Sequence, residues 1–294
     1  MMHRTAAKTL VVLATALTAT GAVLAQTTPA ADAPAAAAAP ETSPLTANIS
    51  LTTNYKFRGQ DQDTLGKNNF YKKSAVKPAV QGGFDYAFGE SGFYVGNWNS
   101  SVNWLTGNSI EMDFYGGYKF KAGVFDIDVG ALTYVYPGNH AGSTTELYGA
   151  ATYTDEKIGA FTVKYSTTVS KDYFGYAGYS SNSGRKGTNT GYLNLSYAKE
   201  IIPHLTLKAA VGYTAFSSDI RKFSGPKSYY DYNVGAAWDF GGGVTLAGSV
   251  QGGNQQNSFL AAVSPGIVIN GFQYGASTQS INKPQLIATL TKTF

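Results

Sequence analysis

From residue 45 onward the chain repeats one pattern: apolar residues at every second position, with polar residues between them. The segment LTANISLTTNYKFRG, residues 45–59, shows it first. Ala47, Ile49, Leu51, Thr53, Tyr55 and Phe57 fall on one face, and Asn48, Ser50, Thr52, Asn54, Lys56 and Arg58 on the other. Side chains alternate across a strand, so each such segment is a ribbon with one apolar and one polar face. The pattern returns around Val80, Met112, Ile127, Val163, Leu195, Leu207 and Val234, and more weakly after Phe93, Leu147, Val244 and Leu286. Twelve strands are expected. A soluble sheet turns its apolar face to a core. A membrane barrel turns that face to lipid and the polar face to an aqueous lumen. Periodicity alone leaves both open.

The rest of the chain decides. Residues 1–8 carry His3, Arg4 and Lys8 and no acid; an apolar stretch follows to Leu24, and small residues stand at Val23 and Ala25. This is the form of a secretory signal peptide over residues 1–25, cleaved after Ala25. Its apolar stretch is shorter than the ~20 residues that span a bilayer. Residues 26–44 are rich in Ala and Pro and read as an extended periplasmic tether. Residues 45–294 form the barrel. Removing Arg4 and Lys8 leaves 20 Lys and Arg against 18 Asp and Glu, which is no footprint for nucleic acid. The chain has no Cys, which excludes disulfide and thiolate chemistry. Charged residues make up 14%, against ~25% in ordinary soluble domains, while Tyr numbers 21, Phe 16 and Gly 34. So little charge suits an exterior that meets lipid.

The connections support this. Short ones (89–92, 121–123, 155–159, 200–204, 241–243) alternate with longer polar ones (59–74, 137–143, 170–188, 217–227, 253–282), and 106–109 is the short exception. Outer-membrane barrels have short periplasmic turns and longer external loops. Phe84, Tyr86, Phe88, Phe93, Phe120, Phe125, Tyr153, Phe161, Trp238 and Phe240 gather at the short-turn end, where they would form an aromatic girdle. A general preference of aromatics for strands does not explain clustering at one end. The last strand ends in Phe294, a feature that outer-membrane insertion machinery reads, although Lys292 interrupts the apolar alternation. The apolar face therefore points outward at membrane lipid. The fold class is all-β: a transmembrane antiparallel up-and-down barrel of about 12 strands.

The polar faces then line a lumen. The candidate pore-lining residues are Lys56, Arg58, Lys77, Asp85, Glu111, Asp113, Tyr115, Lys119, Asp126, Asp128, Glu146, Lys164, Lys208, Asp231 and Asp239. Lys56 and Arg58 stand near the external end of the first strand. Rings of such charges set ion selectivity, or they pair as salt bridges that brace a narrow lumen; strand number alone does not choose. The i, i+2 pairs Glu111/Asp113 and Asp126/Asp128 each point one way. Acid–base or divalent-cation chemistry is conceivable there, but a lumen wall explains them more simply. After the leader only His140 and His204 remain, in an external loop and a periplasmic turn, too far apart to share a hydrolytic site. Gly241-Gly242-Gly243 lacks the Lys and helix of a phosphate loop. No cofactor, metal or catalytic residue is expected.

Several phrases follow one another in the order found in one family: LTANISLTTNYKFRG, PAVQGGFDYAFGESGFYVGNWNSSV, EMDFYGGYKF, TYVYPG, TELYGAATY, KDYFG and YLNLSYAKEIIPHLTLKAAVGYT. In these the chain resembles the TorF family of proteobacterial porins, long catalogued as conserved hypothetical proteins. The resemblance implies a signal peptide, an outer-membrane β-barrel and solute passage, and supplies no catalytic residues. It weakens over 253–282, which contains SFLAAVSPGIVING. That segment reads as a long external loop, an inward-folded constriction, or two more strands that would bring the total to 14. The expected function is passive diffusion of small hydrophilic solutes across the outer membrane. The alternatives are a closed structural or binding barrel and, with less support, a lipid hydrolase. Expected partners are outer-membrane lipids, the solutes, and the insertion machinery at Phe294.

Overall fold

The structure, a computed structural model, describes residues 43–66, 72, 74, 76–223, 226–254, 260–264, 267–269, 272–274 and 277–294. The expected leader and all but the end of the expected tether lie outside these residues. Twelve strands form one closed antiparallel barrel. They are β1 (Leu45–Thr52), β4 (Ala79–Ala87), β5 (Phe93–Ser101) and β6 (Ile110–Ala122); β7 (Phe125–Val135), β8 (Thr144–Asp155), β9 (Gly159–Thr168) and β10 (Gly191–Ile202); and β11 (Leu205–Ala215), β12 (Tyr229–Asp239), β13 (Val244–Gly253) and β18 (Gln285–Thr293). Each pairs with its neighbours in sequence, and β1 closes the ring against β18, from Asn48↔Thr293 to Thr52↔Thr289.

Alternation sets the two surfaces. On β1, Ile49 and Leu51 are exposed while Ser50 and Thr52 are buried inside. On β9, Phe161, Val163 and Tyr165 are exposed, and Thr162, Lys164 and Ser166 are buried. The outside of the wall is thus an apolar band and the inside is polar, the reverse of a soluble sheet. Closure leaves no strand edge unpaired, as hydrocarbon requires. At the short-turn end the exterior carries paired rings: Tyr86–Phe88 at 5.0 Å, Phe93–Tyr118 at 4.7 Å, Phe125–Tyr153 at 6.1 Å and Phe161–Tyr197 at 4.8 Å.

Two expectations need correction. The first strand does not run through to residue 59. It stops at Thr52, and Tyr55 and Phe57 are buried inside rather than facing lipid, with 3% and 6% exposure. The chain turns inward as a hairpin of β2 (Lys56–Phe57) and β3 (Gln60–Asp61). Second, 14 wall strands do not form. β14 (Leu260–Ser264) pairs with β17 (Ser277–Ser280), and β15 (Ile267–Ile269) with β16 (Phe272–Tyr274), apart from the wall. Among the described residues, the first long connection folds inward as the β2–β3 hairpin, and Tyr173 and Phe174 of the β9–β10 connection are buried against it; whether 253–282 forms an inward constriction lies outside the described residues.

The outward face makes one prediction. Val163→Arg, at mid-strand on the outside, should cost about 2–4 kcal/mol of folding stability in phospholipid vesicles, measured by reversible urea titration. Ser196→Arg, which sits across from Thr162 on the inner face, should cost much less.

Candidate functional site: the lumen and its inward hairpin

The hairpin turns on Arg58 and Gly59, with φ of 46° and 76°. Two successive positive φ values are the signature of a primed two-residue turn, which matches the twist of paired strands. Arg58 carries a strained backbone so that its side chain can occupy the tip. Gly59 must stay glycine, because a Cβ there would lie 2.6 Å from the Gly252 carbonyl oxygen on β13.

Polar contacts fasten this insert around the wall. The Arg58 guanidinium forks onto Glu146 of β8, with Nη2–Oε2 at 2.7 Å and Nη1–Oε1 at 3.0 Å, and donates to the Tyr173 hydroxyl at 3.0 Å. It also lies 4.1 Å from the ring centre of Tyr192 on β10. The Tyr55 hydroxyl donates to Glu111 of β6 at 2.7 Å, and Tyr136 donates to the same carboxylate. Gln60 Nε2 donates to the Tyr229 hydroxyl of β12 at 2.7 Å. Asn54 donates to Gln285 of β18.

At the root of the hairpin, Asp61 accepts from Lys56 Nζ at 2.8 Å, Lys77 Nζ at 2.7 Å and Asn54 Nδ2 at 3.0 Å. Burial alone would raise the Asp61 carboxyl; the two ammonium groups outweigh it and hold it below the ordinary carboxylate value. Aromatic rings complete the packing, with Phe57 at 5.5 Å from Tyr134 and 5.0 Å from Phe174. A buried charge without a partner is costly, so this density of pairing is what allows charged groups to fill the outer half of the lumen.

The sequence-derived pore residues separate into three groups. Lys56, Arg58, Lys77, Glu111 and Glu146 join the hairpin and its anchors. Asp113 stands beside them, 2% exposed, with one carboxylate oxygen lacking a hydrogen-bond partner. Asp231 accepts from Tyr192 at 3.1 Å. Lys56 and Arg58 thus do not line a strand near the external mouth as expected; they belong to the insert.

Nearer the short turns a second layer remains on the wall. Tyr115 donates to Asp85 at 2.6 Å, and Tyr94 donates to Asp128 at 2.6 Å and contacts the Tyr148 hydroxyl. Lys119 and Lys164 lie over the rings of Tyr94 and Tyr148 at 4.6 and 4.0 Å. Lys208 faces the same interior from β11 and is buried. These rings lie along the wall because glycines on neighbouring strands make room; a Cβ on Gly117 would meet the Tyr94 hydroxyl at 2.7 Å.

The third group sits at the rim. Asp126 pairs with Lys121, whose side chain is 74% exposed, at 2.6 Å. Asp239 accepts from the Gly241 backbone N–H at 2.8 Å and shapes a turn. Both serve the short-turn end rather than a constriction. His140 and His204 lie in connections at opposite ends of the barrel, after β7 and after β10. Among the described residues no group of three or more His, Cys, Asp or Glu is placed to hold a metal ion.

Asp61, Tyr55, Tyr134, Tyr136, Tyr173 and Tyr229 were not among the sequence-derived candidates. The available signal was the placement of Tyr134 and Tyr136 on the same phase as Asp126 and Asp128, which turns both rings inward.

A closed polar-lined barrel with an inserted hairpin defines an outer-membrane barrel by architecture. The chain belongs to a bacterial protein family of unknown function, Gcw_chp, whose model matches residues 35–294. That match carries no porin name, and the TorF resemblance rests on the phrases quoted above. The fold is similar to that of the KdgM porin, with a TM-score of 0.51 at 8% identity over 85% of this chain and 99% of that one. The NanC porin gives 0.50 at 12% over 85% and 98%. A KdgM porin in complex with disordered oligogalacturonate gives 0.50 at 9% over 85% and 98%. No curated protein matches.

Two outcomes follow for the hairpin. Arg58→Ala should leave Glu146 buried without its cation and weaken the seating by roughly 3–5 kcal/mol, read as faster proteolysis within 53–66 in a barrel that still migrates as folded. The depressed Asp61 carboxyl adds stability that is complete above its ordinary value near pH ~4 and is lost as pH falls through the lower folded value. Protection of the hairpin should therefore hold at about pH 6 and fall on acidification below ~4. Asp61→Asn should remove that part of the acid dependence.

Proposed function

We propose that this protein is an outer-membrane channel, exported by its leader, that passes small hydrophilic solutes by diffusion, with the β2–β3 hairpin as its constriction. The observation that carries the reading is the chemistry of the interior. The wall facing the lumen carries polar and charged side chains on most strands, and although Phe57 packs on Tyr134 and Phe174, the charged groups of the insert are held by ion pairs and hydroxyls. Such contacts can be exchanged for water and solute at modest cost, which a hydrocarbon core cannot do. The porin folds that the chain shares support this reading, as does the TorF resemblance. It involves no catalytic step. The Phe294 backbone N–H bonds Ala47 at 2.9 Å, so the terminal residue is part of the closed wall; we assign it to recognition by the insertion machinery.

A second reading has one observation in its favour. Lys56, Asp61, Arg58, Glu111 and Glu146 are all at or below 3% exposure, as expected for a plug in a closed barrel that acts through its external loops. Single-channel recording in planar bilayers separates the two. Small ohmic steps are expected from the native barrel. Replacing residues 54–63 with a Gly/Ser linker should enlarge them and, by removing Arg58 from Glu111, Asp113 and Glu146, shift the reversal potential towards cations. A folded barrel that conducts in neither form would overturn the channel reading.

A further inference from the structure

A partly open cavity lies between the hairpin and the long connections. It has a volume of about 200 Å³, and its walls come from β3, the residues after it, the β5–β6 and β9–β10 connections, and Ile281. Aromatic residues dominate its walls: Phe57, Trp104, Tyr173, Phe174 and Tyr176. The Trp104 ring is held edge-on against Tyr136 at 5.2 Å, and its indole Nε1 is buried with no hydrogen-bond partner. Gln62 and Thr64 add polar groups to the same wall, and the Gln62 amide is oriented by a bond to the Gln60 carbonyl at 3.1 Å.

Charge narrows what could enter. Among the described residues, Asp61 is the one charged residue on the lining, and both of its oxygens are already engaged by Lys56, Asn54 and Lys77. No ionic partner for a charged ligand is left among the described lining residues. Size narrows it further. Clefts for drug-sized ligands run to roughly 300–1,000 Å³, so this one admits a single ring rather than a chain. The occupant must be neutral, with an apolar face for the aromatic rings and polar edges for an indole N–H and an amide. A pyranose has that shape: C–H groups on its face and hydroxyls around its rim.

We propose that this cavity is an external subsite for a single neutral pyranose unit, with Trp104 as its stacking and donor residue. The site is bounded by the inward hairpin on one side and by the long connections on the other, and its occupation does not require that the barrel conducts.

The test uses the refolded full barrel in detergent, with saturation-transfer NMR and tryptophan emission as readouts. Methyl glucopyranoside, methyl galactopyranoside and methyl mannopyranoside are the probes, with glucuronate and indole as counter-probes. At least one neutral glycoside should bind saturably in the millimolar range and perturb Trp104 emission. The response should persist in Trp98→Phe, whose ring packs on Tyr55 away from the cavity. NMR-detected binding should vanish in Trp104→Leu and weaken about tenfold, ~1.4 kcal/mol, in Gln62→Leu. Gln62→Leu and Thr64→Val carry the test alone if Trp104→Leu no longer migrates as a folded barrel. Three outcomes would overturn the proposal: no saturable binding of any neutral glycoside by the folded protein, tighter binding of glucuronate or indole than of every glycoside, or undiminished binding in the cavity variants.

Discussion

Hydrocarbon offers a backbone no hydrogen-bond partner, and every other feature of this protein follows from that. The chain answers with a closed ring of strands, in which β1 meets β18 and no edge is left. Closure fixes what the side chains can do. Alternation places one half of them against lipid, where Ile49, Leu51, Val163 and Phe84 belong, and commits the other half to an interior that water must reach or polar partners must fill. Because most aliphatic residues face outward, the inside is stabilised by polar pairing together with a cluster of aromatic rings, among them Tyr55, Phe57, Tyr134, Tyr136 and Phe174.

The outer half of the interior is filled by chemistry suited to that restriction. A hairpin of a few residues brings Arg58 to Glu146 on the wall and pairs Lys56 and Asp61 with each other, with the Ile281 carbonyl and Lys77 at the strand ends beside them. Each contact is local, but the anchors are spread over β6, β8, β10, β12 and β18, so the insert is held from all sides. Towards the short turns the hairpin no longer reaches, and side chains of the wall strands themselves, Tyr94, Tyr115, Tyr148 and Lys164, are buried in the interior. The two halves therefore differ in kind: one is filled by an inserted hairpin, the other by residues of the wall.

The barrel was legible in the sequence because its signal is periodic and repeated. Strand number, the ordering of short and long connections, the outward aromatic band and the inward phase of Asp85, Glu111, Asp128 and Lys164 all rest on position counting. The hairpin was not. Residues 45–59 alternate without interruption, and period two persists through Tyr55 and Phe57 although the wall strand ends at Thr52. A hairpin strand and a wall strand share one repeat, and only the long-range partners Glu111, Glu146 and Tyr229 tell them apart. Those partners are distant in sequence, so no local window contains the information. The rim roles of Asp126 and Asp239 escaped for the opposite reason: inward phase says which face a residue takes, not how deep it lies.

The root of the hairpin bears on how the molecule is put together. Lys56 Nζ bonds the Ile281 carbonyl at 3.1 Å, the Asp61 backbone N–H bonds the same carbonyl at 2.9 Å, and Thr53 bonds Ala288 on β18 at 2.9 Å. These partners lie on β18 or just before it, so the seating of the insert depends on β18 docking beside β1. Sealing the ring and seating the insert are thus one event, joined across the greatest sequence separation in the protein. A chain cut short before β18 loses both sets of partners at once.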